Sequence, residues 1–324
     1  MRDRILAVLG LAAGLTVIGL AIAATPMMSS AQPGGQAWCA RHPQNPHCRT
    51  ASPTPSTSQP PPNTPPPSTT PPTPSTSQPP PSTPPPVTTT PTSTPTPSLQ
   101  PVGDPLGRAW TPVLDDEFNG TSIDTSKWVA LNGWGNNNVT SNAKNCTENA
   151  GNLVLALPGD GTGCDLYSSQ AYGAGANARA LHVGDYLEAR IFFPGPGTAP
   201  TSTLYNWPAF WAYDGSGNWN AGENDIAEAL NHMEYNYSAT GGGSGTDSPP
   251  GLWGNSWHVY GIYRAATQVL VFYDGVLVWT QNTNDTGGPE AIMFTSGKSD
   301  TCCGAPTAYG SAGNVLVDWV RDWH

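Results

Sequence analysis

Short runs of alternating apolar and polar residues dominate the C-terminal two-thirds of the chain. Tyr186–Phe193 (YLEARIFF) puts Leu, Ala, Ile and Phe on one side and Tyr, Glu, Arg and Phe on the other. Asn314–Trp323 (NVLVDWVRDW) alternates in the same way, and Asn152–Leu157 and Ser256–Tyr263 are further short apolar runs. Side chains on a strand alternate faces with period two, so these segments predict half-buried strands. Gln268–Tyr273 and Val276–Trp279 flank Asp274-Gly275, a pair suited to the positive φ of a two-residue hairpin turn. Gly-, Asn- and Pro-rich loops separate the runs, and no long helical stripe interrupts them. Many short strands with polar turns predict an all-β, antiparallel β-sandwich.

Within that pattern lies Glu223-Asn224-Asp225-Ile226-Ala227-Glu228, with three carboxylates in six residues. Taken alone, the good helix formers of GENDIAEALNHM also suit a helix. On a helix Glu223 and Glu228 would stand about 140° apart and could not share a task. The sandwich context favours a strand. There Glu223 and Asp225 share a face, and a β-bulge near Ile226 or Ala227 would return Glu228 to it. Retaining glycoside hydrolysis needs two carboxyl groups about 5–5.5 Å apart, one as nucleophile and one as acid/base. A third carboxylate between them can push their pKa values apart.

Composition divides the chain. Residues 1–31 combine an Arg-containing start with an apolar run ending in small residues, the pattern of a secretory signal. The run is also long enough to serve as an uncleaved membrane anchor. Residues 32–49 form a short segment with Cys39 and Cys48, which proximity pairs. Residues 50–103 lack Asp, Glu, Lys and Arg, and the 54–72 sequence recurs at 73–91. So little apolar surface cannot support a core, and the segment reads as a Pro/Ser/Thr linker that samples polyproline II. Residues 104–324 form the remaining domain, with 8 basic against 22 acidic residues. That balance argues against nucleic acid as a partner and suits a neutral polymer. Secretion favours disulfides, with Cys146 paired to Cys164, while the adjacent Cys302 and Cys303 are left over. No spacing suggests zinc. Nothing indicates an oligomer, so a monomer is expected.

The domain is rich in tryptophan, and aromatic rings can stack on sugar faces. Trp207, Trp211 and Trp219 lie just upstream of the acids and are the candidates for ligand contact. Trp257, Trp279 and Trp319 are assigned to packing.

Asn206-Trp207-Pro208-Ala209-Phe210-Trp211 followed by Gly222-Glu223-Asn224-Asp225-Ile226-Ala227-Glu228 resembles the signature of family 16 glycoside hydrolases, the laminarinase and lichenase relatives. Asp116-Glu117-Phe118-Asn119-Gly120, Gly151-Asn152-Leu153, Tyr186-Leu187-Glu188-Ala189-Arg190, Trp257-His258-Val259-Tyr260, Tyr273-Asp274-Gly275 and Val317-Asp318-Trp319-Val320-Arg321 resemble further family motifs, in the family's order. The resemblance implies a jelly-roll sandwich with a concave substrate cleft and retaining endo-hydrolysis of a β-linked polysaccharide. It implies Glu223 as nucleophile, Asp225 as the residue that orients it, and Glu228 as acid/base. The five-residue spacing resembles the bulged laminarinase form and favours β-1,3-glucan over strictly mixed-linkage glucan. No cofactor is required. Some relatives hold a structural calcium, and the matching positions are Glu117, Gly151 and Asp318.

The chain also departs from the family pattern. Asn224 stands where an aliphatic residue is usual and needs a partner if buried. Ala227 replaces a common Met, Tyr263 a usual Trp, and the stretch 231–250 does not follow the family's next strand. Galactan or agar-type substrates therefore stay open, as does a jelly-roll that binds glycan without cleaving it.

Overall fold

The computed structural model describes residues 99–103, 106–214, 222–239, 243–248, 250–299 and 304–324. The expected signal, the 32–49 segment, nearly all of the expected linker, Trp219, Cys302 and Cys303 lie outside the described residues.

Two eight-stranded antiparallel sheets form the expected sandwich. The first, here the outer sheet, runs in the order Val276–Asn282, Gln268–Tyr273, Trp257–Arg264, Tyr186–Phe192, Val315–Trp323, Asn152–Leu155, Cys146–Asn149, with Pro112–Asp116 beside Val315–Trp323. The second, the site sheet, contains β1 (Val129–Ala130), β2 (Asp165–Tyr167), β3 (Ala209–Tyr213), β4 (Glu223–Ala229), β5 (Met233–Ala239), β6 (Gly243–Asp247) and β7 (Glu290–Thr295). Its order is β6-β5-β4-β3-β7-β2-β1, with Ala180–Leu181 also paired to β7. Every long strand anticipated from the alternation is present within a few residues of its expected bounds, and Asp274 and Gly275 both take positive φ, 47° and 76°.

The period-two pattern builds the core directly. Leu187, Ala189 and Ile191 face inward from the outer sheet, and Phe210, Ala212, Ile226, Ala227, Ile292 and Phe294 meet them from the site sheet. Phe210 and Phe294 stack at 4.8 Å between ring centroids. The disulfide between Cys146 and Cys164 joins an outer-sheet strand to the residue that leads into β2, as the spacing suggested.

Packing begins before the anticipated boundary at 104. The backbone N–H of Val102 donates to both carboxylate oxygens of Glu188 at 3.2 and 3.1 Å, and the Trp323 indole donates to the Leu99 carbonyl at 3.0 Å. Residues 99–103 thus lie against Tyr186, Glu188 and Trp323 on the outward face of the outer sheet. Burial there pushes the Glu188 carboxyl up to about 7.

One end of the sandwich is tied by a buried polar network. Arg264, from the outer sheet, pairs with Glu290 of β7 at 2.9 Å and with Asp285 at 3.3 Å. Its other guanidinium nitrogen donates to the carbonyls of Leu181 and Gly288. Breaking a buried pair by removing one partner costs about 3–5 kcal/mol, because the other charge is stranded. R264M should therefore lower the unfolding free energy in urea by about that amount. A loss below about 1 kcal/mol, the worth of a surface pair, would contradict this account of the network.

Candidate active site

The acidic hexapeptide is a central strand, β4, buried along its whole length. Its register with β3 pairs Glu223 with Tyr213, Asp225 with Trp211, Ala227 with Phe210 and Glu228 with Ala209, so Ile226 has no opposite residue. Its register with β5 pairs Glu223 with Ser238, Asp225 with Asn236 and Glu228 with Glu234, with a shift between Asp225 and Glu228. This is the anticipated bulge. Ile226 and Ala227 both enter the apolar core, and Glu223, Asp225 and Glu228 share the opposite face. The reason is energetic: in regular register Glu228 would point between the sheets, where an unpaired carboxylate costs several kcal/mol. Gly222 opens the strand at φ 97°, a conformation that favours glycine, and a Cβ there would approach Asp285 and Glu290 at 3.3–3.4 Å.

Asn224 points to the other side of β4 and has the partner its burial demands. Its amide donates to both Glu290 oxygens, at 3.0 and 2.8 Å. The strand is thus bonded from behind into the Arg264 network, between the two positions that present Glu223 and Asp225 in front.

Glu228 is held by two donors. The Trp207 indole N–H reaches Oε1 at 2.7 Å, and the Asn236 amide reaches Oε2 at 2.6 Å. Thr246 donates to Asn236 Oδ1 at 2.6 Å, which fixes the amide with its N–H group toward Glu228. Burial nevertheless dominates. It pushes the Glu228 carboxyl up to about 8, and the charges of Glu234 and Glu223 add to the rise against the two hydrogen bonds. A carboxyl group that keeps its proton near neutral pH can act as a general acid. Glu234, fully buried, is a fourth carboxylate on this face, and His232 Nε2 lies 3.2 Å from its Oε1.

On the Glu223 side the same face is aromatic. Trp211 and Tyr213 stack at 5.9 Å, and the Trp211 indole donates to Thr295 at 3.2 Å. Tyr213, Tyr167, Ala291 and Met293 form a buried cluster, with Val129, Leu131, Tyr172 and Trp211 packed on it. Tyr172 stacks on Trp134 at 6.1 Å and 15°, and Trp134 is exposed. Flat apolar rings beside a row of carboxylates can hold a sugar chain by stacking while its hydroxyls bond to polar groups.

The other residues singled out in the sequence have different placements. Trp207 is fully buried and serves Glu228 through its N–H, so its ring offers no open stacking face and the expectation of ligand stacking is corrected. Trp211 is half-buried on the site face. Glu234 and Asn236 lie outside the acidic motif, on a stretch, Met233-Glu234-Tyr235-Asn236-Tyr237, that alternates cleanly with Met233 and Tyr235 in the core. Trp134 sits in an Asn- and Gly-rich loop and Tyr172 ends the short 3-10 turn Gln170–Tyr172, and neither stretch carries a periodic signal.

At the calcium positions both carboxylates are ion-paired. Glu117 pairs with Arg321, and Asp318 pairs with Arg190 at 2.6 Å, so the two carboxylates are committed to different guanidinium groups. Gly151 lies in a turn at φ 76°. Among the described residues no group of three or more His, Cys, Asp or Glu is arranged to hold a metal.

No protein-family model matches the sequence, and no curated protein matches it. Solved structures do. An endo-β-1,3-glucanase from Pyrococcus furiosus is 21% identical, with a TM-score of 0.53 over 66% of this chain and 94% of that one. Porphyranase B from Zobellia galactanivorans is 20% identical, with a TM-score of 0.52 over 66% and 92%. A non-specific endo-β-1,3(4)-glucanase from family GH16 is 17% identical, with a TM-score of 0.51 over 66% and 91%. At this identity the likeness establishes the fold: the chain has the β-sandwich of these glycan-cleaving proteins.

Proposed function

We propose that this chain is a secreted, retaining endo-glycoside hydrolase of β-linked polysaccharide, with β-1,3-glucan or mixed β-1,3/1,4-glucan as its preferred substrate. The observation that carries the reading is the bulge that sets Glu223, Asp225 and Glu228 on one face, with Glu228 in surroundings that keep it protonated. Two endo-glucanases and a porphyranase among the structural neighbours support the reaction class.

In the proposed reaction Glu228 donates its proton to the leaving glycosidic oxygen while Glu223 attacks the anomeric carbon. Asp225, between them on the same strand face, orients Glu223. Glu228, now ionised and stabilised by the Trp207 and Asn236 donors, takes a proton from water as that water releases the sugar from Glu223. The two donors therefore favour the state Glu228 adopts after the first transfer, whereas burial favours the state it starts from. The sugar chain lies along Trp211 toward Tyr172 and Trp134.

E223Q should reduce reducing-sugar release by at least about 10³-fold while the melting profile stays close to that of the unaltered chain. The panel is laminarin, barley mixed-linkage glucan, agarose and arabinogalactan. Activity within a few-fold of the unaltered protein would remove Glu223 from the mechanism. Glycan retention without cleavage of any member by the unaltered chain would favour a binding protein.

The pH dependence has a definite sign. The acid form of Glu228 is the competent one, and its pKa is raised to about 8. Activity should persist through neutrality and fall as pH rises through about 8. A profile of kcat/KM already declining between pH 5 and 6, near the ordinary carboxylate range, would contradict the assignment.

A further inference from the structure

Glu228 and Glu234 are directly opposite one another in the β4–β5 pair, and both are buried. Like charges at opposed strand positions destabilise a sheet, and two buried carboxylates side by side cannot both ionise cheaply. A Gln or Thr in place of Glu234 would fill the site without that repulsion, so the acid needs a reason. The groups around Glu228 suggest one. Its own strand contributes Glu223 and Asp225, and β5 contributes Glu234 and the neutral Asn236. From β3 it meets Ala209, beyond which lie Thr295 of β7 and Asp165 of β2. The Trp207 indole covers Oε1. His232 stands against Glu234, with Nε2 at 3.2 Å from Oε1.

The geometry points to Glu234 as a positioning residue for Glu228: paired with His232 it carries the negative charge of the couple, and that charge keeps the catalytic proton on Glu228. This inference rests on the acid/base role proposed above. It adds a residue to that role that neither the acidic motif nor the resemblance contains. His232 is partly exposed, and its Nε2 lies 3.2 Å from Glu234 Oε1. The proton belongs to the coupled group, and its location is set by which carboxylate faces the His232 ring and which has the Trp207 and Asn236 donors.

The test uses the full chain and two readouts. The first is the pH profile of kcat/KM on the best substrate of the panel, for the unaltered protein, E234Q, E234D and H232Q. The second needs no turnover: ¹³C-carboxyl NMR titration of Glu-labelled protein, with the Glu228 signal assigned by its loss in E228Q. In E234Q the alkaline limb and the Glu228 midpoint should both move down by about one unit, so that the ratio of activity at pH 8 to that at pH 5.5 falls about fivefold. E234D should restore most of the shift, and H232Q should move the midpoint in the same direction by less. A folded E234Q whose Glu228 midpoint is unchanged would overturn the inference. If E234Q does not fold, an unmoved midpoint in H232Q overturns it instead. Should the unaltered chain cleave nothing, the hydrolase reading fails, and the NMR shift still decides whether Glu234 holds the proton on Glu228.

Discussion

The apolar layer between the two sheets tolerates no uncompensated carboxylate, and β4 must carry three carboxylates through the middle of a sheet with both faces buried. A regular strand would deliver Glu228 into that layer. Admitting one extra residue at Ile226 lets Ile226 and Ala227 both enter the core, and the strand continues with its acids on one side. The energy that favours the bulge is thus the burial of two apolar side chains together with the avoided burial of a charge. Everything proposed for the chemistry follows from this local irregularity, because without it Glu223 and Glu228 would lie on opposite faces of the sheet.

A bulged strand is locally weaker in its ladder, and the surroundings hold it from both faces. Behind it, Asn224 reaches Glu290, which is paired with Arg264 from the other sheet. In front, Trp207 and the Thr246–Asn236 relay fix both oxygens of Glu228. These contacts put several polar groups under the surface. Such groups are costly when half-satisfied and rigidifying when satisfied. Here they make the position of the carboxylate row a consequence of the whole sandwich rather than of one loop.

How much of this was legible depended on periodicity. The strands Tyr186–Phe192, Trp257–Arg264 and Val315–Trp323 were readable because their inward residues alternate, and the bulge was readable because three acids at spacings of two and three fit one face only with an extra residue. Asn224 announced a need for a partner but not which one: Glu290 lies 66 positions away, and only strand pairing brings it near. The nearness of Trp207 to the acids in sequence predicts ligand contact. The fold instead buries its ring and uses its N–H, a distinction that composition does not carry. Glu234 was visible in the alternation of Met233–Tyr237 but was masked by the glycine-rich run that follows. Trp134 and Tyr172 meet only because two irregular loops converge on β2. The calcium positions followed a resemblance in sequence order, and the arginines that neutralise Glu117 and Asp318 come from other strands.

The central claim is that one bulge assembles a nucleophile and an acid/base on the same face for double displacement. The most direct measurement is ¹H NMR of the anomeric protons during the first turnovers on a soluble β-glucan, before mutarotation sets in. The account predicts that the newly formed reducing end appears first as the β-anomer and only later equilibrates. First appearance of the α-anomer would mean inversion, with water attacking directly, and would contradict the role given to Glu223.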